Sequence, residues 1–171
     1  LYVGDGVWKS GAVDKVTGLA EHFGAAVASN FSDLRGISAA HPLYCGRLDQ
    51  AATALSPDHI VCIGVRHGGT GHAQDYAAFA AARRVVSLGS DPDTLKNIPG
   101  LDLAVLADER RTVERLEELT LSESTPGRYD ERRQRALAVA SELRSERRRQ
   151  TEPAEPQSNT VRPMAMLDAL D

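Results

Sequence analysis

The chain has 171 residues, about the length of one domain, and its 20 Lys+Arg against 24 Asp+Glu leave a formal charge of −4. That near-balance excludes a surface built to blanket a phosphate backbone. A content of 42% apolar and 26% charged residues excludes wholesale disorder. Cys45 and Cys62 form neither a CxxC nor a paired framework, so neither a disulfide scaffold nor a zinc site is expected. No run approaches the roughly 20 apolar residues of a membrane span, and no signal peptide opens the chain, so the expected setting is the cytoplasm. Leu1 already lies inside an apolar run and the first methionine is Met164, which predicts a piece of a longer protein.

In chain order, Leu1-Tyr2-Val3 reads as a strand that ends in the turn Gly4-Asp5-Gly6. Ala12, Val16, Leu19, Ala20 and Phe23 then recur at helical spacing, with Gly24 placed for a C-terminal cap. The uncharged run 25–29 reads as a strand buried on both faces. A long connection over 30–47 follows, and a short helix over 49–55 is stopped by Ser56-Pro57. The strand 59–64 runs into the glycine-dense loop 66–72 and an alanine-rich helix over 75–82. A strand over 84–88, a turn at Asp91-Pro92, a strand over 103–106 and a helix over 109–119 complete the pattern. The character then changes to a linker over 122–127 and a charged helix over 129–149 with the narrow stripe Ala136, Leu137, Ala140 and Leu143. Residues 151–159, with Pro153 and Pro156, read as an extended linker, and Val161-Arg162-Pro163 as the start of another unit.

Strands alternating with helices predict a doubly wound α/β domain of about six parallel strands, with helices on both faces. The expected division is a Rossmann-like domain over 1–121, a linker and charged helix over 122–150, and the beginning of a truncated C-terminal domain over 151–171. In such a sheet ligands bind beyond the carboxyl ends of the strands. Three loops there carry the candidate residues. Gly4 and Gly6 would let amides approach an anion, with Lys9 and Ser10 assisting, although Lys9 stands where the third glycine of a dinucleotide fingerprint belongs. Gly64, Arg66, Gly68 and Gly69 would cradle a diphosphate, Arg66 supplying a fixed planar charge. Asp91 would accept from a ribose, or would cap the next turn. His67 and His72 lack zincin spacing, so no metal site is expected. No GxSxG elbow occurs, Cys45 has no base near it in sequence, and His41 reads as structural. The arginines 147–149 end a helix without aromatic interleaving and read as a solvated terminus, so no nucleic-acid partner is expected.

Several segments together resemble the central domain of thiamine-diphosphate-dependent enzymes of the acetolactate synthase and benzoylformate decarboxylase group. They are Gly4-Asp5-Gly6-Val7, Ser10-Gly11-Ala12, residues 19–27, Arg35-Gly36 followed by His41-Pro42-Leu43-Tyr44-Cys45-Gly46, the strand 61–66 ending in Gly64-Val65-Arg66, Asp91-Pro92 with Lys96-Asn97, and Ala107-Asp108. The similarity runs in order from about Leu1 to about Leu119, and Val161-Arg162-Pro163 resembles the start of the family's C-terminal domain. The resemblance implies a parent with flanking pyrimidine-binding and diphosphate-binding domains, using thiamine diphosphate and Mg²⁺ between them as a lyase or transferase. It implies a homo-oligomer in which this middle domain is structural and oligomerising, without catalytic or metal-binding residues. Some members hold FAD or ADP here; the loop His67-Gly68-Gly69-Thr70-Gly71 and Gly89 depart from the flavin-binding pattern, so neither is expected. Gly4-Asp5-Gly6 with Asn30 superficially matches the family's magnesium motif, but residues 41–44 follow the central-domain pattern, so no magnesium is assigned to it.

Overall fold

A computed structural model describes residues 1–29, 36–67, 74–121 and 127–151. The chain forms β1 (Tyr2–Val3), α1 (Asp5–Lys9), α2 (Val13–Phe23), β2 (Val27–Ser29), β3 (Tyr44–Arg47) and α3 (Leu48–Leu55). It continues through β4 (His59–Ile63), α4 (Tyr76–Ala81), β5 (Arg84–Gly89), α5 (Pro92–Leu95), β6 (Leu103–Leu106), α6 (Glu109–Leu121) and α7 (Asp130–Thr151). The six strands form one sheet in the order β3-β2-β1-β4-β5-β6, every neighbouring pair parallel. This is the doubly wound, Rossmann-like order expected from the alternating pattern, with its switch point between β1 and β4.

Two buried clusters lie on opposite faces. Val3, Val16, Leu19, Ile63, Leu88 and Val113 pack under α2 and α6. Tyr2, Cys62, Phe79, Val85 and Ile98 pack under α3 and α4. Alternation along each strand sends Ile60 and Cys62 to one face and Ile63 to the other, as a sheet covered on both sides requires. Gly24 closes α2 in the left-handed region at φ 56°, and its N–H bonds back to Glu21.

Three local expectations change. Gly4-Asp5-Gly6 is not a turn: Gly4 is the N-cap of α1, which starts directly from the strand. The connection over 30–47 contains the edge strand β3, whose sequence Tyr-Cys-Gly-Arg has no apolar run to announce it. Its pairing with β2 also shifts register between Val27 and Ala28, so no simple alternation survives there. Asp91-Pro92 opens the one-turn helix α5 and not a bare turn. Residues 30–35 of the connection lie outside the described residues, as do 68–73, 122–126 and 152–171.

The charged helix is longer than its stripe suggests and lies against the β3 edge and α3. Ala136 and Ala140 are buried, each facing one of the two cores. Its arginines reach back to the domain. Arg133 donates to the Glu21 carbonyl at 2.7 Å, Arg135 to Leu55 and Arg144 to His41, each at 2.8 Å. Arg147 lies over the Tyr44 ring, 5.4 Å from its centroid. Such contacts explain how a helix with so narrow an apolar stripe still docks: arginine stems cover the edge while their heads satisfy carbonyls at loop and helix ends.

Candidate functional site

The place where a doubly wound sheet takes ligands is the crevice between the loops after β1 and β4. Here the two loops are zipped together. The N–H of Gly4 donates to the Ile63 carbonyl at 3.0 Å, and that of Gly6 to the Gly64 carbonyl at 2.9 Å. A Cβ on Gly4 would lie 2.5 Å from the Gly64 carbonyl oxygen, and one on Gly64 would lie 2.6 Å from the Gly6 Cα. Gly64 also sits at φ +59°, where side chains are strained. The glycines therefore serve backbone-to-backbone contact, and the Gly6 amide points at protein instead of at open space.

Carboxylates occupy the rim. Asp5 is largely buried and receives Lys9 at 3.1 Å and Arg66 at 3.2 Å. Arg66, the fixed charge offered by the sequence for a diphosphate, is turned onto Asp5. Asp91 instead caps α5, accepting from the Asp93 N–H at 2.8 Å. Asp108 does the same for α6, accepting from Arg111 N–H at 2.9 Å. Glu109, 4% exposed, reaches over Gly6 and accepts from both the N–H and the hydroxyl of Ser90 at 3.2 Å. Sequence reading missed Glu109, whose only signal was an acid in the first turn of a helix. Ser10 turns its hydroxyl back to the Gly6 carbonyl at 2.7 Å and so does not face the crevice.

Among the described residues, this donor set does not fit a diphosphate. An anion placed there would meet Asp5 and Glu109, both buried, while the Gly6 amide and the two nearby cations already have partners. Gly68, Gly69 and His72 lie outside the described residues.

The remaining chemistry-bearing side chains are built into the scaffold. His67 is not part of a solvated loop: it is 1% exposed, edge-on to Tyr76 and Phe79 with centroids 5.4 Å away in both cases. Asp75 accepts from the buried Tyr2 hydroxyl at 2.8 Å, tying the start of α4 to β1. His41 accepts from the Leu43 N–H through Nδ1 at 3.2 Å and meets Glu21 through Nε2 at 3.2 Å. Burial pushes the Cys45 thiol up to about 11 and the Cys62 thiol to about 12, the opposite of what a nucleophilic thiolate needs. Among the described residues no three His, Cys, Asp or Glu side chains are grouped to hold a metal ion. None of the described helices is long and apolar enough to cross a membrane.

With this geometry in place, residues 1–116 match the family described as thiamine pyrophosphate enzyme, central domain. The chain belongs to that family. The fold also superposes on a crystal structure described as a candidate thiamin diphosphate-dependent enzyme from Mycobacterium smegmatis, with a TM-score of 0.56 and 23% identity. That match covers 75% of this chain and 25% of the other, so the chain spans about a quarter of that protein. No curated protein matches.

Proposed function

We propose that the chain is the structural and oligomerising central domain of a thiamine-diphosphate-dependent enzyme, of the 2-oxo acid decarboxylase or acetolactate synthase kind. Its partners on this reading are the pyrimidine-binding and diphosphate-binding domains of the same chain, which use thiamine diphosphate and Mg²⁺, and further copies of the protein. On this reading residues 1–121 are the domain proper, 122–150 a linker and charged helix, and 151–171 an extended linker and the start of the next domain. The supporting observation is the sealed crevice: the glycines that open a nucleotide site in other doubly wound sheets here hold β1 and β4 loops against each other. No specific observation favours the competing reading, a module holding ADP or FAD through Gly4, Gly6, Gly64, Arg66, Gly68, Gly69 and Asp91.

Two measurements on the 171-residue chain test the proposal. With thiamine diphosphate and Mg²⁺ supplied, neither pyruvate nor benzoylformate should be decarboxylated above background, and calorimetric titration with ADP should show no saturable heat. Turnover in a clean preparation would overturn the non-catalytic role, and saturable ADP binding would restore the nucleotide reading.

A further inference from the structure

Strand β3 closes one end of the sheet, and among the described residues no strand pairs with its outer side. Helix α7 lies over that edge, and a covering helix is one of the ways in which proteins protect an unpaired strand. Among the described residues α7 follows the last strand and joins no two strands. Lifting it would therefore break no strand ladder.

What holds α7 down is modest. Ala136 and Ala140 are buried, while Leu137, Val139 and Leu143 are only partly so. Two alanine methyls bury little beside a large apolar side chain, whose full burial is worth roughly 1.5–3 kcal/mol. Arg133, Arg135 and Arg144 donate to carbonyls, bonds that are exchanged against water and so contribute far less than in isolation. The buried Nε of Arg144 has no hydrogen-bond partner among the described residues, which weakens docking at that turn. The helix, for its part, does not depend on the sheet for its form. Its 22 residues lie beyond the roughly 12–15 below which isolated helices are marginal, and Asp130 and Arg133 pair within it at 3.2 Å.

Cys45 lies under this cover. It is fully buried on β3 in the same cluster as Ala140, with Val139 and Leu143 packed against that cluster. Its neighbour Gly46 meets α7 directly: a Cβ there would stand 2.8 Å from Nη1 of Arg147. Cys62 is fully buried too, but its strand β4 is paired on both sides, to β1 and to β5.

We propose that α7 is a detachable strap, which lifts from the β3 edge as an intact helix while the sheet stays folded, uncovering Cys45 and not Cys62. Partial opening of this kind draws on the element with the fewest buried apolar contacts. Burial pushes the Cys45 thiol up to about 11 while the strap is down, and lifting it returns the thiol to its ordinary range. An open strap also bares the hydrogen-bonding edge of β3. The device belongs to this chain's own edge and holds or fails whatever reaction the parent enzyme performs.

Iodoacetamide labelling of the native 171-residue chain, read cysteine by cysteine by mass spectrometry over urea concentrations below the unfolding transition, tests it. Cys45 should react at least about tenfold faster than Cys62, and with a shallower dependence on urea, because opening the strap exposes less surface than unfolding. Ala140→Glu, which sets a charge into the docked face, should speed Cys45 by at least about tenfold again and leave Cys62 and the far-UV circular dichroism unchanged. Ala138→Glu, at an exposed position on the same helix, should change neither rate. Equal rates and equal urea slopes for the two cysteines overturn the proposal, since α7 then opens only when the sheet does. So does an Ala140→Glu chain in which both cysteines speed up together, or in which Cys45 does not speed up at all.

Discussion

The two ends of this sheet's chemistry contrast sharply. At the switch point between β1 and β4, three glycines remove every side chain between two loops, and backbone meets backbone. At β6 Leu103 and Leu106 are more than half exposed, and no described strand pairs with the outer side. In most doubly wound proteins the roles are reversed: the switch point is open to a ligand and the edge is protected. The comparison teaches that the same loop glycines can open or close a site. What decides is whether their amides face a cavity or the neighbouring loop's carbonyls.

The contrast breaks first at Gly64. An alanine there would pay for left-handed φ and press its Cβ to 2.6 Å from the Gly6 Cα, backbone that cannot swing away. Strain of about 1–2 kcal/mol and overpacking of about 1–3 kcal/mol should together lower stability by about 2–5 kcal/mol. Urea denaturation of Gly64→Ala measures it. A loss below about 1 kcal/mol would mean that the loops can part, and that the crevice is a usable site after all.

The strap over the opposite edge gives the next largest effect. Ala140 is fully buried on the inner side of α7, while Ala138 on the same helix is exposed. Ala140→Leu should cost about 1–3 kcal/mol and Ala138→Leu close to nothing, read from thermal or urea midpoints. Equal effects would show that α7 does not dock as described, and the β3 side would then be as open as β6.

Much of this was legible in the chain. The strands 59–63 and 84–88 announced themselves by β-branched runs, and the stripe Ala136, Leu137, Ala140 and Leu143 correctly marked the buried side of α7. What was illegible is instructive. Strand β3 hides because pairing, not propensity, makes Tyr44–Arg47 extended. The role of Gly4, Gly6 and Gly64 could be read as permissive backbone, yet not whether a ligand or another loop would use it. That depends on the register of β1 against β4, which no local pattern encodes. Asp5 as the partner of Arg66 joins residues 61 apart in sequence, and Glu109 reaches Ser90 across two elements. Burial of His67, early in the glycine-dense loop, follows from Tyr76 and Phe79 in a later helix.

Glu109 sharpens the comparison from inside the crevice. Its carboxylate serves two donors of Ser90 while nearly excluded from water. Glu109→Ala would strand those donors, and the expected loss is about 1–3 kcal/mol. Titrating Glu109→Ala with ADP adds the second reading. If the acid merely blocks a latent anion site, the variant should bind; if the zipped loops close the site, it should not. The second outcome is expected, because the Gly6 N–H remains bonded to Gly64 in either case.

The smallest effect belongs to Arg66. Its side chain is 64% exposed and its contact with Asp5 is 3.2 Å, so the pair is screened by water and shares the carboxylate with Lys9. Exposed pairs of this kind contribute about 0–1 kcal/mol, and Arg66→Ala should lower the melting temperature by only a few degrees. Were Arg66 the fixed charge of an anion site, the loss would fall on binding instead. Removing one charge-assisted contact would weaken ADP roughly 10- to 150-fold and leave the melting curve alone. The geometry favours the first pattern, since the head of Arg66 is already turned onto the carboxylate that any incoming phosphate would have to displace. Raising the salt concentration separates the two further. An exposed ion pair loses its contribution within the range where the Debye length falls below about 10 Å, so wild type and Arg66→Ala should converge in stability there. A difference that persists in high salt would mean that Arg66 acts through packing on the β4 loop and not through its charge.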